Sequence, residues 1–335
     1  MGMSPQTGCV SRASDLDQSY LMDIYHGIDE ARLAGTAIAI GVFDGVHLGH
    51  QAVLSSAARM AHETGLTAVA LTFDINPAVL LAPHRAPLSI CTVKQRANLI
   101  DHYGGGIDAT VVVHFDHEFA GLSPDDFVRD ILLGRLGASH VFVGTDFRYG
   151  HNRAGDAALL ASEGAQFGFT ADVVQPVIVD GERVSSTRIR SLIESGDVVG
   201  AGRLLGHTFG MEGTVVHGKK LGREIGFPTV NLGPSDPRQL FPADGVYAGY
   251  ATLADGRRFR AALSVGTNPS TDTDGLRKAE AYIMDGFDED IYDSEIVLSF
   301  DRRLRGQVQV DGLDALIDLI RADVAEIDNT LARVE

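Results

Sequence analysis

The hydrophobic rhythm of this chain changes once, near residue 207, and that single change restricts it to a fold of two unlike parts. Before it, short β-branched runs (Ala37–Val42, Thr67–Phe73, Thr110–His114, His140–Val143 and Ala171–Val179) alternate with helical stretches at about 50–64, 92–103, 124–136, 155–167 and 187–205. Alternation of this kind predicts an α/β domain with a mostly parallel, doubly wound sheet over residues 35–206. After it, short runs follow one another with only turns between them: Gly213–Val216, Val246–Leu253, Arg258–Val265, Lys278–Met284 and Ser294–Leu304. Asp244-Gly245 and Asp255-Gly256 are turn signals. This half, residues 207–330, reads as a small antiparallel β-barrel closing on one amphipathic helix, Leu313 to Ala325. Residues 1–34 read as an N-terminal extension, and 1–30 lack the apolar core of a signal segment.

A chain of 335 residues has room for two cores. Its formal charge of −17 argues against nucleic acid or an anionic membrane as partner, because such binding draws on basic surface. A nucleotide needs only a local cationic pocket and stays open. Cys9 and Cys91 are the only cysteines, so a disulfide framework is not expected and a reducing cytoplasm fits. No apolar run approaches the roughly 18 residues of a membrane span.

The richest stretch is Gly41-Val42-Phe43-Asp44-Gly45-Val46-His47-Leu48-Gly49-His50, where the first strand gives way to a helix. The carboxyl end of a strand in an open α/β sheet is where such folds hold nucleotides. The helix N-terminus offers free N–H groups to phosphates, the glycines permit close backbone approach, and imidazoles add donors for charge on a transferring phosphoryl group. Taken alone, the segment is equally a helix cap with two surface histidines. A zinc site is the weaker reading, since His-x-x-His supplies two ligands and no partner motif is evident.

Three further segments repeat the theme. Asp146, Phe147 and Arg148 lie in a loop between a strand and a helix, with arginines for phosphates and aromatic rings for a planar group; an ordinary polar loop is the alternative. Ser185-Ser186-Thr187 opens a helix with Arg190 one turn in, a helix cap that can double as a phosphate site. Gly218, Gly222 and Gly226 recur every four residues, which is wrong for a helix interior and suits a loop around phosphates or a glycine-rich hairpin. It leads to Pro228-Thr229-Val230-Asn231, whose Thr229 and Asn231 oxygens suit Mg²⁺. No Gly-Lys-Ser/Thr follows, so it is not a Walker loop. Glu280, on an expected strand, is either a solvated carboxylate or a general base. Gly104-Gly105-Gly106-Ile107-Asp108-Ala109 fits a relaxed dinucleotide pattern but precedes its strand, so that geometry fails.

In this order, over about residues 35–330, these motifs resemble the bacterial bifunctional riboflavin kinase/FMN adenylyltransferase (FAD synthetase) family. The resemblance implies a nucleotidyltransferase-like first domain that moves AMP from ATP to FMN with release of pyrophosphate. It implies a barrel that moves the γ-phosphoryl of ATP to the riboflavin 5′-hydroxyl, with Mg²⁺ as cofactor in both. His47 and His50 would then stabilise the adenylyl-transfer transition state. Gly41, Phe43, Asp44, Gly45, Asn76, Asp146, Phe147, Arg148, Ser185, Ser186, Thr187 and Arg190 would bind nucleotide or flavin. In the barrel, Thr229 and Asn231 would hold the metal, and Gly218, Lys219, Gly222, Gly226, Pro228 and Asn268 would surround the phosphates and substrate. Glu280 would accept the hydroxyl proton. The sequence departs from the family pattern at Asn76, where histidine is common, at His207, where arginine is usual, at Ser270-Thr271-Asp272 and at Asp293. Two alternatives remain at this stage: a kinase with an impaired or retargeted first half, and a non-catalytic flavin- or nucleotide-binding regulator.

Overall fold

Strand β2 (Thr36–Ile40) buries all of its residues, the mark of a central strand covered on both faces. In the computed structural model, which describes residues 22–218, 221–267, 277–308 and 312–331, it lies in a six-stranded parallel sheet. The other strands are β1 (Asp23–Tyr25), β3 (Thr67–Phe73), β4 (Ala109–Val113), β5 (Ala138–Gly144) and β6 (Thr170–Val174). Their order is β1-β4-β3-β2-β5-β6. The chain runs outward from β2 to one side through β3 and β4, then returns to the other side at β5. The crevice beyond the carboxyl ends of β2 and β5 is therefore the topological switch point, where a doubly wound sheet binds ligands. Residues 23–25, within the stretch read as an extension, pair in parallel with Ala109–Val111 and supply an edge strand.

Side-chain size sets how the first helix sits. On one face of the sheet Ala37, Ala39, Ala68 and Ala70 are fully or almost fully buried. These short residues let α1 (Leu48–Thr64) pack with Val53, Leu54, Ala57, Ala58 and Ala61, a spacing that places them on one stripe. The opposite face carries the bulkier Ile38, Ile40, Val69 and Leu71 and is covered by Phe127, Val128, Ile131 and Leu132. That covering segment, Phe127–Arg135, is wound with wider π-type bonds, so the helix expected over 124–136 is not a regular α-helix. The helical stretch expected over 187–205 is two helices, α4 (Ser186–Ser195) and α5 (Val198–Leu205). Gly196, at φ 86°, closes the first, and the Asp197 carboxylate caps the second by accepting the Gly200 N–H at 2.8 Å. Between these and α1 lie α2 (Val93–Tyr103) and α3 (Ala157–Phe167).

The second half is a closed barrel of β7 (Gly210–Val216), β8 (Thr229–Pro234), β9 (Gly245–Leu253), β10 (Arg258–Gly266), β11 (Lys278–Ile283) and β12 (Glu295–Arg305). Around the barrel the order is β7-β8-β11-β10-β9-β12, every pairing antiparallel. The terminal helix α6 (Leu313–Thr330) packs Ile327 beside Ala248 and Met284, and its buried Asp323 pairs with Arg305 at 2.6 Å.

The two halves share packing. Ile189, Ile193, Ala201, Leu204 and Leu205 of α4 and α5 lie in one apolar cluster with Phe209, Met211, Tyr247 and Phe300 of the barrel. A polar seam runs beside it. The Thr92 hydroxyl donates to the buried Glu212 carboxylate at 2.7 Å, and Lys94 bridges to Glu295 at 2.5 Å. The Ser89 N–H donates to the Arg238 carbonyl, and the Leu240 N–H to the Ser89 carbonyl, each at 2.8 Å.

Candidate active sites

The turn from β2 into α1 is a strained one. Phe43, Gly45 and Val46 have φ of 50°, 79° and 37°, the left-handed region that L side chains avoid. It persists because its side chains and peptide groups are held from outside. Phe43 and Val46 are buried in the cluster under α1. The Phe43 ring folds back so that a Cβ at Gly41 would meet it at 2.7 Å, which gives that glycine a packing reason. The buried Asp44 carboxylate accepts the Ile90 and Cys91 N–H groups at 2.9 and 3.2 Å and pairs with Arg190 at 2.6 Å. Arg190 also donates to the Leu88 carbonyl at 2.8 Å.

This turn presents both histidines. His47 is the N-cap of α1, and its Nδ1 accepts the His50 N–H at 3.2 Å. Nδ1 therefore holds the lone pair, and the neutral ring carries its proton on Nε2. The two rings stack with centroids 3.5 Å apart. Burial drives His47 down to about 4, with Arg183 and Arg190 adding to the effect and its own backbone hydrogen bond opposing it. Burial drives His50 well below its ordinary value too, helped by His47 and Arg96. Both are neutral donors at physiological pH. Nδ1 of His50 is buried with no hydrogen-bond partner among the described residues.

The other expected residues of this half fall into two groups. Ser185 caps α4, accepting the Arg188 N–H at 3.3 Å, and Ser186 reaches the Asp44 carbonyl at 3.5 Å, so this helix start adjoins the histidine turn; Thr187 is exposed beside them. Asp146, Phe147 and Arg148 follow β5 on the other side of the switch point. Arg183 pairs with Asp146 at 2.6 Å and holds its carboxyl below the usual range. The Phe147 ring stacks on Tyr149, and Arg148 is exposed and donates to the Phe147 carbonyl. Asn76 caps the short helix Pro77–Leu81 by accepting the Ala78 N–H at 3.0 Å. Sequence reasoning passed over Cys91, Gln51 and Arg183. Cys91 and Arg183 meet Gly45 and Asp146 only through the fold, and Gln51 joins its near neighbour Val46 to the distant Leu205, so no local pattern marks them.

In the barrel, β8 and β11 pair so that Asn231 lies opposite Glu280 and Thr229 opposite Tyr282. The Thr229 hydroxyl donates to the Glu280 carboxylate at 3.4 Å. A Cβ at Gly218 would come within 2.2 Å of the Asn231 amide, so the chain after β7 passes directly over the second oxygen donor. Leu221–Glu224 forms one helical turn where a loop was expected, and a Cβ at Gly222 would strike the Phe227 carbonyl at 2.3 Å. Gly226, at φ 86°, then turns the chain toward the exposed Pro228 and Thr229. Thr229–Pro234 is a barrel strand that the glycine-rich reading had merged with its loop. Lys219 and Asn268, with Ser270, Thr271 and Asp272, lie outside the described residues.

Two family models match separate parts of the chain. Residues 29–188 match FAD synthetase, and residues 205–331 match riboflavin kinase. The chain belongs to the bifunctional riboflavin kinase/FMN adenylyltransferase family. Similar proteins of that name occur in Pseudomonas fluorescens, 36% identical over 87% of this chain and 91% of the relative, and in Escherichia coli K12, 32% identical over 89% and 93%. A solved Streptococcus pneumoniae structure, described as a macrolide-efflux protein, superposes with a TM-score of 0.79 over 92% of this chain and 99% of that one, at 30% identity. Among the described residues no helix is long and apolar enough to cross a membrane.

Proposed function

We propose that this chain phosphorylates riboflavin to FMN in the barrel and adenylylates FMN to FAD at the histidine turn. The observation that carries the reading is the occurrence, in one chain, of two phosphate-directed constellations of different chemistry. One is a pair of neutral imidazoles, His47 buried and His50 half-buried, at a topological switch point. The other is a Thr–Asn–Glu oxygen cluster across two barrel strands.

For the kinase step, Glu280 accepts the proton of the riboflavin 5′-hydroxyl as its oxygen bonds to the γ-phosphorus of ATP and ADP departs. Its position beside Thr229 keeps base and phosphate ligands together. The donor set fits Mg²⁺, a hard ion bound by few protein oxygens plus substrate phosphates: Thr229 supplies a hydroxyl and Asn231 an amide oxygen. Among the described residues no cluster of three or more His, Cys, Asp or Glu competes as a metal site. Mg²⁺ would neutralise charge on the ATP phosphates there.

For the adenylyl step, an FMN phosphate oxygen attacks the α-phosphorus of ATP in line and pyrophosphate leaves. No protein nucleophile is needed. His47 donates from Nε2 to an oxygen of the transferring group. The unpartnered Nδ1 of His50 is a second polar atom that substrate can satisfy. The start of α4, with Ser185, Ser186 and Thr187, adds N–H and hydroxyl donors. Phe147 offers a ring face for flavin or adenine. The placement is cytoplasmic, where both substrates and reduced cysteines coexist.

Chromatography of products from the chain incubated with riboflavin, ATP and Mg²⁺ tests the proposal. FMN followed by FAD is expected. FMN alone assigns a kinase with a silent first site, and Asn76, tied up as a helix cap, becomes the first residue to restore to histidine. Retained flavin without turnover assigns a regulator.

A further inference from the structure

We propose that His207 is a positioning residue for the adenylyl-transfer turn, acting through one hydrogen bond from its Nε2 to the Gly45 carbonyl. The inference rests on the adenylyl-transfer reading above. His207 lies after α5, on the short link into the first barrel strand, far in sequence from the turn it touches. Its Nε2 is 3.0 Å from the Gly45 oxygen. Gly45 is the centre of the left-handed turn, with Phe43 and Val46 strained on either side.

The peptide groups of this turn are gripped one after another. The Asp44 carbonyl receives Ser186 at 3.5 Å. The Gly45 N–H donates to the Cys91 sulfur at 3.0 Å. The Gly45 carbonyl faces His207, and the Val46 carbonyl accepts the Gln51 amide at 2.8 Å, an amide that also donates to the Leu205 carbonyl. Removing one grip lets a strained turn relax toward ordinary backbone angles, and the next residue is His47. The Tyr103 ring stacks on His207 with centroids 5.0 Å apart and fixes the imidazole plane. Nδ1 of His207 faces its neighbour's carbonyl, Thr208, at 3.1 Å. A ring with one proton can donate to only one of the two carbonyls, and the proposal assigns that proton to Nε2.

Two variants separate the hydrogen bond from the packing. His207→Phe keeps a ring on Tyr103 and deletes the donor. His207→Gln deletes the ring and keeps an N–H donor at about the reach of Nε2. In the full-length chain, FAD formation from supplied FMN and FMN formation from riboflavin are each resolved into kcat and KM. The expected result is a roughly ten- to hundredfold fall in FAD-forming kcat for His207→Phe, with KM for FMN and both kinase constants near the parent's. His207→Gln is expected to recover most of that kcat. A His207→Phe chain with parental FAD-forming kcat overturns the inference, as does a His207→Gln chain as impaired as His207→Phe, since packing would then be the role. Parallel loss of both activities overturns it too. If the parent itself forms no FAD, the adenylyl-transfer reading falls and takes this inference with it.

Discussion

The two candidate sites are built in opposite ways for the phosphate charge proposed for them. The histidine turn is buried, strained, and clamped by partners from several distant segments, and its imidazoles are held neutral by burial. The barrel site sits on regular strands. Register alone places Asn231 opposite Glu280, and Thr229 is exposed. On the proposed reading, one site would stabilise charge with pre-set neutral donors and need an external frame to stay set. The other would rely on oxygen ligands suited to a hard cation, and it takes its geometry from the ladder itself. Geometry borrowed from far segments is vulnerable at many positions; geometry inherited from a strand pair is vulnerable at few.

The sharpest way to break this contrast is Glu280→Ala. It is expected to lower FMN formation by about 10²–10⁴-fold while sparing FAD formation from supplied FMN, read in separate product assays. Equal loss of both activities would collapse two sites into one. His47→Ala reverses the pattern, lowering FAD formation by about 10²–10³-fold at an unchanged kinase rate. The third test uses pH. The unfolded chain protonates His47 near its ordinary 6.5, whereas burial delays this to about 4 in the native state. His47 therefore favours neither state above pH 6.5, and native stability falls as pH drops from 6.5 toward 4, by about 3 kcal/mol from this group. Denaturant unfolding at stepped pH should show that slope, and it should flatten in His47→Gln. The smallest effect is expected for Gly218→Ala. Its new methyl meets the Asn231 amide, at a cost of about 1–3 kcal/mol, and should raise the Mg²⁺ concentration the kinase needs without altering that of the adenylyl step.

Five of the six strands of the sheet were legible as short apolar, β-branched runs bounded by breakers, and Thr67–Phe73 coincides with its expected limits; the edge strand Asp23–Tyr25, three residues within the stretch read as an extension, was not. Nor was the barrel strand Thr229–Pro234, because it is short, ends on Gly233 and Pro234, and follows directly on the glycine-rich stretch that dominates the local pattern. The break between α4 and α5 was passed over, although Gly196-Asp197 carries a stop and a start signal in two residues. The place of His47 and His50 at the turn from β2 into α1 was readable from the glycine-rich stretch that ends the strand. The partnership of Asp44 with Arg190, which gives two expected ligand contacts a clamping duty, was not, since the residues lie far apart in the sequence. Long-range pairing leaves no local periodicity to detect.

The dispersed clamp also has a temporal side. Ribosomal synthesis delivers the histidine turn early, yet Arg190 and His207 emerge only about 145 to 160 residues later, roughly 7–30 s at 5–20 residues per second. Until then the segments that supply its helix and its cradle at Ile90 and Cys91 have been made, but its counter-ion and its last donor have not. The turn proposed for adenylyl transfer thus depends for its last partners on the polypeptide that leads into the barrel, which is made just before the kinase half.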